Sequence, residues 1–222
     1  MAGSAVIYLG GAPGPQVVPP IDDAAVAIAA DSGLGVAYEL GHTVDLLVGD
    51  LDSVLADDLE RATSTGLEIE RHDPDKDDTD LEIAIARAVG LGVTRMTIIG
   101  GAGGRLDHLV ANLAVLCGPA LANVEVDAYL GCSRVQVVRD RREIVGRPAM
   151  LVSLLAWGGP ARGVTTDGLR WPLRDATIEP GDAVGTSNAL IDTHGAVSLS
   201  SGVLSAICPD VGSLFPIQEV LR

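Results

Sequence analysis

Val44-Asp45-Leu46-Leu47-Val48-Gly49-Asp50-Leu51-Asp52-Ser53 joins a short apolar run to a pair of aspartates. A run of this length without helical period reads as a strand buried on both faces, the pattern of a parallel sheet. The same grammar occurs upstream, where Val26-Ala27-Ile28-Ala29-Ala30 ends in Asp31. Residues 5–9 and 96–99 read as further strands, and helical patterns fill 34–40, 55–65, 79–89 and 106–116. Alternating βα units predict a doubly wound, mainly parallel sheet with helices on both faces. Ligands then bind outside the carboxyl ends of the strands.

From about residue 133 the helical period is lost. Residues 135–138, 150–155, 183–185 and 196–199 read as short strands between turn residues, which predicts a C-terminal antiparallel β-sandwich. The expected division is therefore an α/β domain over 1–132 and a β-sandwich domain over 133–222. Of 222 residues, 47% are hydrophobic, yet only one Phe, two Trp and three Tyr occur, so aliphatic side chains must fill the core.

A formal charge of −15 argues against a broad nucleic-acid or anionic-membrane surface, both of which need clustered Lys and Arg. Cys117, Cys132 and Cys208 are widely spaced, the pattern of reduced thiols. The amino terminus lacks a basic segment before its short apolar run, and no stretch has the length of a membrane span. The expectation is a soluble cytoplasmic protein.

Aspartates carry the chemistry. Asp31 and Asp50 fall at predicted strand ends, and Asp50 and Asp52 have the two-residue spacing that, in extended chain, turns both side chains to one face. A second run, Asp75-Lys76-Asp77-Asp78-Thr79-Asp80, leads into a helix through the capping box Thr79-Asp80-Leu81-Glu82. At ~4 Å and an effective dielectric of about 20, each like-charge pair costs roughly 4 kcal/mol. If both runs converge, a hard divalent cation such as Mg²⁺ carrying a polyphosphate answers the repulsion. Asp50-Leu51-Asp52-Ser53 also has a superficial likeness to the nucleophile motif of haloacid-dehalogenase-like phosphatases, although there the motif ends the first strand. A third element, Gly103-Gly104-Arg105-Leu106-Asp107-His108, opens the helix after the 96–99 strand, with Arg105 suited to phosphate and Asp107 to a hydroxyl.

Taken in order, 30–33, 49–53, 75–80 and 104–108 resemble the motifs of thiamine pyrophosphokinases. Thr166-Asp167-Gly168-Leu169-Arg170-Trp171-Pro172-Leu173 and Gly185-Thr186-Ser187-Asn188 are similar to that family's β-domain signatures. The resemblance implies an α/β nucleotide-binding domain followed by a β-sandwich, acting as a homodimer with sites between subunits. It implies transfer of pyrophosphate from ATP to the hydroxyl of thiamine, by in-line attack on the β-phosphorus. Asp31, Asp50, Asp52 and Asp80 would gather Mg²⁺ and the ATP phosphates, with Lys76, Asp77 and Thr79 in the same cleft. Asp52 and Asp80 are both candidates for accepting the hydroxyl proton. Arg105, Asp107 and His108 would hold the nucleotide, and Leu169, Trp171, Ser187 and Asn188 the thiamine. Leu51 stands where the family usually has Phe, and the Gly10-Gly11-Ala12-Pro13 turn receives no contact. A pyrophosphokinase for a pterin-like hydroxymethyl heterocycle and a non-catalytic thiamine or nucleotide sensor are the alternatives. No apolar stripe in the sequence marks a subunit interface; the homodimer rests on the resemblance.

Overall fold

The computed structural model describes residues 3–212. Strand β1 (Ser4–Leu9) lies in the interior of the sheet, between β2 (Val26–Ala30) and β5 (Arg95–Gly100), parallel to both. Strands β3 (Leu46–Gly49) and β4 (Glu68–Arg71) continue in parallel beyond β2, and β6 (Glu125–Leu130) beyond β5. The chain thus steps outward through β1, β2, β3 and β4, then returns to the other side of β1. The connections leaving the carboxyl ends of β1 and β5 run to opposite sides of the sheet there, the position where α/β sheets open a crevice.

Alternation along β1 shows why both faces are covered. Val6 and Tyr8 pack with Val36 and Ala37 of α1 (Gly33–Glu39) and with Leu40, which caps it. Ala5, Ile7 and Leu9 pack with Leu81, Ala84, Ile85 and Ala88 of α3 (Asp80–Gly90). Successive side chains point to opposite faces, so a strand with a helix on each side must be apolar throughout. Helix α2 (Ala56–Thr65) covers the β3 edge through Leu59 and Ala62. Helix α4 (Leu106–Leu116) packs differently: only Leu116 is fully buried, while Leu106 and Val110 are 76% and 50% exposed.

The second half adds to this sheet before it builds its own. Strand β7 (Ser133–Val138) turns back antiparallel to β6, and β14 (Leu204–Cys208), β9 (Leu151–Ala156) and β12 (Asn188–Ala189) follow outward. Ten strands therefore form one sheet among the described residues, parallel at one end and antiparallel at the other. A four-stranded antiparallel sheet of β8 (Arg141–Val145), β10 (Ala161–Asp167), β11 (Ala176–Ile178) and β13 (His194–Ser198) faces that antiparallel end. Ile144, Val164, Ile178 and Val197 meet Val138, Val152, Leu154 and Leu204 in the intervening core. Mixed parallel sheet followed by antiparallel sandwich is the architecture expected, with one sandwich layer shared with the α/β sheet.

Residues 183–185 are not a strand: they lie in the turn ahead of β12, whose two residues pair with β9. Strands β4, β6, β8, β10, β11, β12 and β14 carry no strand assignment in the sequence reading. β4 (Glu-Ile-Glu-Arg) and β8 (Arg-Arg-Glu-Ile-Val) are edge strands whose charges mask the apolar pattern. Because one sheet runs through both halves, unfolding should be a single transition. Far-UV circular dichroism and the fluorescence of Trp157 and Trp171, both in the second half, should show coincident urea midpoints; separated midpoints would mean the halves fold independently.

Candidate active site

The register of β2 and β3 pairs Ala30 with Val48, so Asp31 and Asp50 leave neighbouring strand ends together. The Asp31 N–H still donates to the Val48 carbonyl at 2.8 Å. Asp31 then turns at φ 48, a left-handed conformation that aspartate tolerates better than most residues. Gly49 sits between the two acidic runs at φ 139; a Cβ there would lie 3.1 Å from Asp80 Oδ1 and 3.2 Å from Asp31 Cβ. Glycine is needed here because the carboxylates come this close to the backbone.

The Asp50–Asp52 segment is not extended. Leu51 adopts φ 67, and the Asp52 N–H donates to Asp50 Oδ1 at 3.1 Å. Left-handed leucine costs about 1–3 kcal/mol and persists only where the surroundings hold it. Leu51 is 7% exposed and packs with Leu34, Leu47 and Ala62, which anchors the turn. Both carboxylates reach the same place, by a buried apolar wedge and a tight turn and not by strand alternation. Ligand atoms of Asp31, Asp50 and Asp52 lie within 4.8 Å of one another.

The second run arrives on α3. Thr79 caps the helix as expected: its hydroxyl accepts from the Glu82 N–H at 3.3 Å, and its own N–H donates to Glu82 Oε2 at 2.9 Å. That cap aims Asp80 at the cluster. Lys76 Nζ lies 3.0 Å from Asp80 Oδ1 and 3.6 Å from Asp50 Oδ2, with only 16% of the lysine side chain exposed. Burial opposes the ammonium charge, but Asp80 and Asp50 outweigh it and raise its pKa above the ordinary lysine value. The Asp52 N–H, helped by Lys76, holds Asp50 below the usual carboxylate range. Asp31 goes the other way, raised first by burial and then by the charges of Asp80 and Asp50.

One lysine does not satisfy the cluster. Asp31 Oδ1 is buried without a hydrogen bond, and Asp80 Oδ1 meets only the Lys76 ammonium, at 3.0 Å. Buried carboxylate oxygens without donors are costly. An all-oxygen donor set of this kind fits a hard divalent cation, and the residues present suit Mg²⁺.

These residues line a cleft of about 560 Å³ at the crevice between β1 and β5. Asp31, Asp50, Asp52, Lys76, Thr79, Asp80, Arg105 and His108 all contribute to its wall. Asp77 and Asp107 do not. Asp107 is exposed and holds Arg105 through Nη2–Oδ2 at 2.6 Å and Nε–Oδ1 at 3.3 Å. The guanidinium pulls the Asp107 carboxyl down to about 2. The bidentate partner of Arg105 is thus a solvent-exposed carboxylate, a pairing of small net strength.

Several lining residues escaped the sequence reading. Gly10, Gly11 and Ala12 form a wall, although the first-strand turn was given no contact. A Cβ at Gly101 would sit 2.3 Å from the Gly11 carbonyl oxygen, so the two glycine loops meet backbone to backbone. The Gly-Gly pair directly after the first strand was the available signal. Ser32, Ser53 and Asp78 also line the cleft, each inside a motif already singled out. Asn112 joins them one helical turn after His108, an i,i+4 spacing on α4.

None of Leu169, Trp171, Ser187 and Asn188 lines this cleft. Leu169 is 2% exposed and belongs to the sandwich core. Asn188 is likewise buried, at 5%, whereas Trp171 is 55% exposed and Ser187 lies on the surface at φ 56.

A carboxylate-and-lysine cleft at the switch point of a doubly wound sheet, with a β-sandwich built onto that sheet, defines an α/β enzyme that transfers phosphate-containing groups. Residues 20–128 match the family model described as "Thiamin pyrophosphokinase, catalytic domain", and residues 140–204 match "Thiamin pyrophosphokinase, vitamin B1 binding domain". The chain belongs to the thiamine pyrophosphokinase family. It is 23% identical to the thiamine pyrophosphokinase of Bacillus subtilis (strain 168), across 84% of this chain and 88% of that one. It is 28% identical to thiamine pyrophosphokinase 2 of Arabidopsis thaliana, across 79% of this chain and 68% of the plant protein. Among solved structures, the thiamin pyrophosphokinase of Geobacillus thermodenitrificans superposes with a TM-score of 0.74 at 26% identity, covering 92% of this chain and 95% of that one. The Bacillus subtilis structure gives a TM-score of 0.79 at 24% identity, covering 92% and 97%.

The raised pKa of Asp31 carries a sign. Its ionised form is disfavoured in the folded state, so at neutral pH the charge works against folding and would be relieved as pH falls through the raised value. Asp31→Asn should therefore raise the Tm of the metal-free protein by roughly a few degrees and abolish most of the further increase given by Mg²⁺. Thermal scans with and without Mg²⁺ test this; an undiminished Mg²⁺ increment would remove Asp31 from the ligand set.

Proposed function

We propose that this protein transfers pyrophosphate from ATP to the hydroxyl of thiamine, giving thiamine diphosphate and AMP, and that Asp31, Asp50, Asp52 and Asp80 hold Mg²⁺ during the reaction. The observation that carries this reading is the convergence of Asp31, Asp50 and Asp52 within 4.8 Å, with the buried Asp31 Oδ1 left without a donor. Bound there, Mg²⁺ supplies charge neutralisation for the phosphates and polarises the phosphorus under attack.

The chain's own residues do the rest. Lys76, held between Asp50 and Asp80, is the fixed cation beside the phosphate path. The glycine loops of β1 and β5 allow the nucleotide to approach the backbone closely, and Arg105 exchanges Asp107 for phosphate oxygens. Asp52, exposed at the cleft beside Ser53, takes the proton of the entering hydroxyl. Transfers of this kind depend on positioning and charge, and no protein nucleophile is required.

Thiamine brings a permanent positive charge and two aromatic rings, which suit the acidic cleft and the face of Trp171. Because Trp171 does not line the cleft of its own chain, we read the working unit as a homodimer in which the sandwich of one copy completes the site of the other. Exposed apolar groups support that reading: Leu106 and Val110 on α4, and Leu151, Val184 and Ile191 with Trp171 on the sandwich. Its substrates are small molecules and not nucleic acid, consistent with the charge of −15. Three free cysteines fit the reducing cytoplasm.

Incubation with ATP, Mg²⁺ and thiamine should yield AMP and thiamine diphosphate in equal amounts. Asp52→Asn should lower kcat at least about a hundredfold while circular dichroism stays native. Release of free phosphate without AMP would favour the phosphatase chemistry suggested by Asp50-Leu51-Asp52. Val110→Glu should shift the protein toward monomer in sedimentation and lower turnover with it; a dimer that withstands the charge would locate the interface away from α4.

A further inference from the structure

Asn188 has the residue type of a substrate contact, but its side chain is already engaged. Its Oδ1 accepts from the Trp171 N–H at 3.1 Å and from the Ala189 N–H at 2.9 Å, and its Nδ2 donates to the Trp171 carbonyl at 2.7 Å. The orientation of the amide is dictated by its partners, because a main-chain N–H can only donate and a carbonyl can only accept. At 5% exposure, the group is closed off from solvent.

Trp171 has the complementary situation. Among the described residues, Asn188 is the one hydrogen-bonding partner of both its main-chain groups. Pro172 follows directly and brings no N–H, so the chain beyond Trp171 supplies no neighbouring donor. Up to that point segment 168–171 is held against 188–191. Ile191 N–H donates to the Gly168 carbonyl at 2.8 Å, Leu169 bridges Leu190, and Arg170 N–H donates to the Ala189 carbonyl at 2.8 Å. Asn188 extends that pairing by one residue, using a side chain where the backbone ladder stops.

The indole itself is presented to the outside. It makes no hydrogen bond through Nε1 among the described residues, whereas the Trp157 Nε1–H donates to Ser205 Oγ at 2.9 Å. The Arg170 guanidinium stands 5.0 Å above its centroid, so one ring face already attracts a cation.

We infer that Asn188 is a positioning residue: it fixes the backbone of Trp171 so that the indole forms a rigid platform for the aromatic, cationic acceptor, and it does not itself touch that acceptor. This rests on the reading above that Trp171 carries thiamine. A large aromatic exposed on one hydrogen-bonded turn would otherwise sample many orientations. Each would have to be given up on binding, which weakens capture of the acceptor without changing the chemical step.

A double-mutant cycle tests the assignment. Trp171→Ala should raise the KM for thiamine about tenfold, the range expected for loss of one aromatic–cation contact, with the KM for ATP little changed. Asn188→Ala should raise the thiamine KM several-fold at nearly constant kcat, and the double variant should be no worse than Trp171→Ala alone. Asn188→Asp, which sets a carboxylate oxygen against the Trp171 carbonyl in a buried site, should raise the thiamine KM at least as much as Asn188→Ala. Subtracting the emission of the Trp171→Ala protein isolates Trp171 fluorescence, whose anisotropy should drop in Asn188→Ala. Effects on thiamine KM that multiply in the double variant would overturn the assignment and make Asn188 a direct contact. Unchanged Trp171 anisotropy in Asn188→Ala would overturn it whatever the kinetics. An unaltered thiamine KM in Trp171→Ala would instead overturn the placement of thiamine, leaving the anisotropy to decide the role of Asn188.

Discussion

Like-charge repulsion at the ends of two adjacent parallel strands is the constraint on which the site depends. The register that pairs Ala30 with Val48 delivers Asp31 and Asp50 side by side, and the capped start of α3 adds Asp80. Lys76 is the single cation within ion-pair distance of Asp50 and Asp80 among the described residues, and it is held by two carboxylates at once. Repulsion of this order persists only where the scaffold resists spreading. Here the resistance comes from β2 and β3 themselves, buried on both faces, with Leu51 pinned beneath the turn. The site is a strained arrangement kept in place by an aliphatic core, which is how charge pre-organisation is generally maintained.

That core also explains the sheet's length. A doubly wound sheet ending at β6 would leave an unpaired edge beside the crevice. β7 pairs with it, and β14, β9 and β12 carry the sheet on into the sandwich. The segment bearing Trp171 is thereby tied, through Asn188 and Ala189 on β12, to the same sheet that bears Asp31 and Asp50.

Much of this was legible from residue patterns. The four βα strands and helices of the first half follow from apolar runs and helical period, and the capping box at Thr79 was readable from four letters. The carboxylate cluster was also predictable, because aspartates after buried strands have a defined place. The spacing argument for Asp50 and Asp52 reached the right place by the wrong geometry. A left-handed leucine has no sequence signature, since propensity disfavours it and only tertiary packing holds it. The charged strands β4 and β8 were hidden because an edge strand need not show an apolar face. The sharing of one sheet by both halves was illegible for a related reason: strand pairing between distant segments is decided by complementarity of edges, which no local pattern records. Leu169 and Asn188 lie within the motifs but are buried, the one in the sandwich core and the other against the Trp171 backbone. A signature contains residues that touch a ligand and residues that hold those that do, and only burial and hydrogen-bond partners tell them apart.

The proposed division of the site between cleft and sandwich is one that charge favours as well as topology. Five carboxylates line the cleft, Asp31, Asp50, Asp52, Asp78 and Asp80, against two basic side chains of fixed charge, Lys76 and Arg105. Such a wall repels a naked polyphosphate and attracts a cation, so the phosphate-bearing substrate has to arrive with its charge compensated. An aromatic platform placed in the same wall would be poorly used, because the aspartates would hydrate the space it needs to keep dry. The exposed indole of Trp171 stands on the sandwich instead, its backbone held by the buried Asn188 amide and one ring face beneath the Arg170 guanidinium. The acidic wall and the exposed indole thus lie on different elements, and the apolar side chains exposed on α4 and on the sandwich are surface that one copy of the chain leaves uncovered.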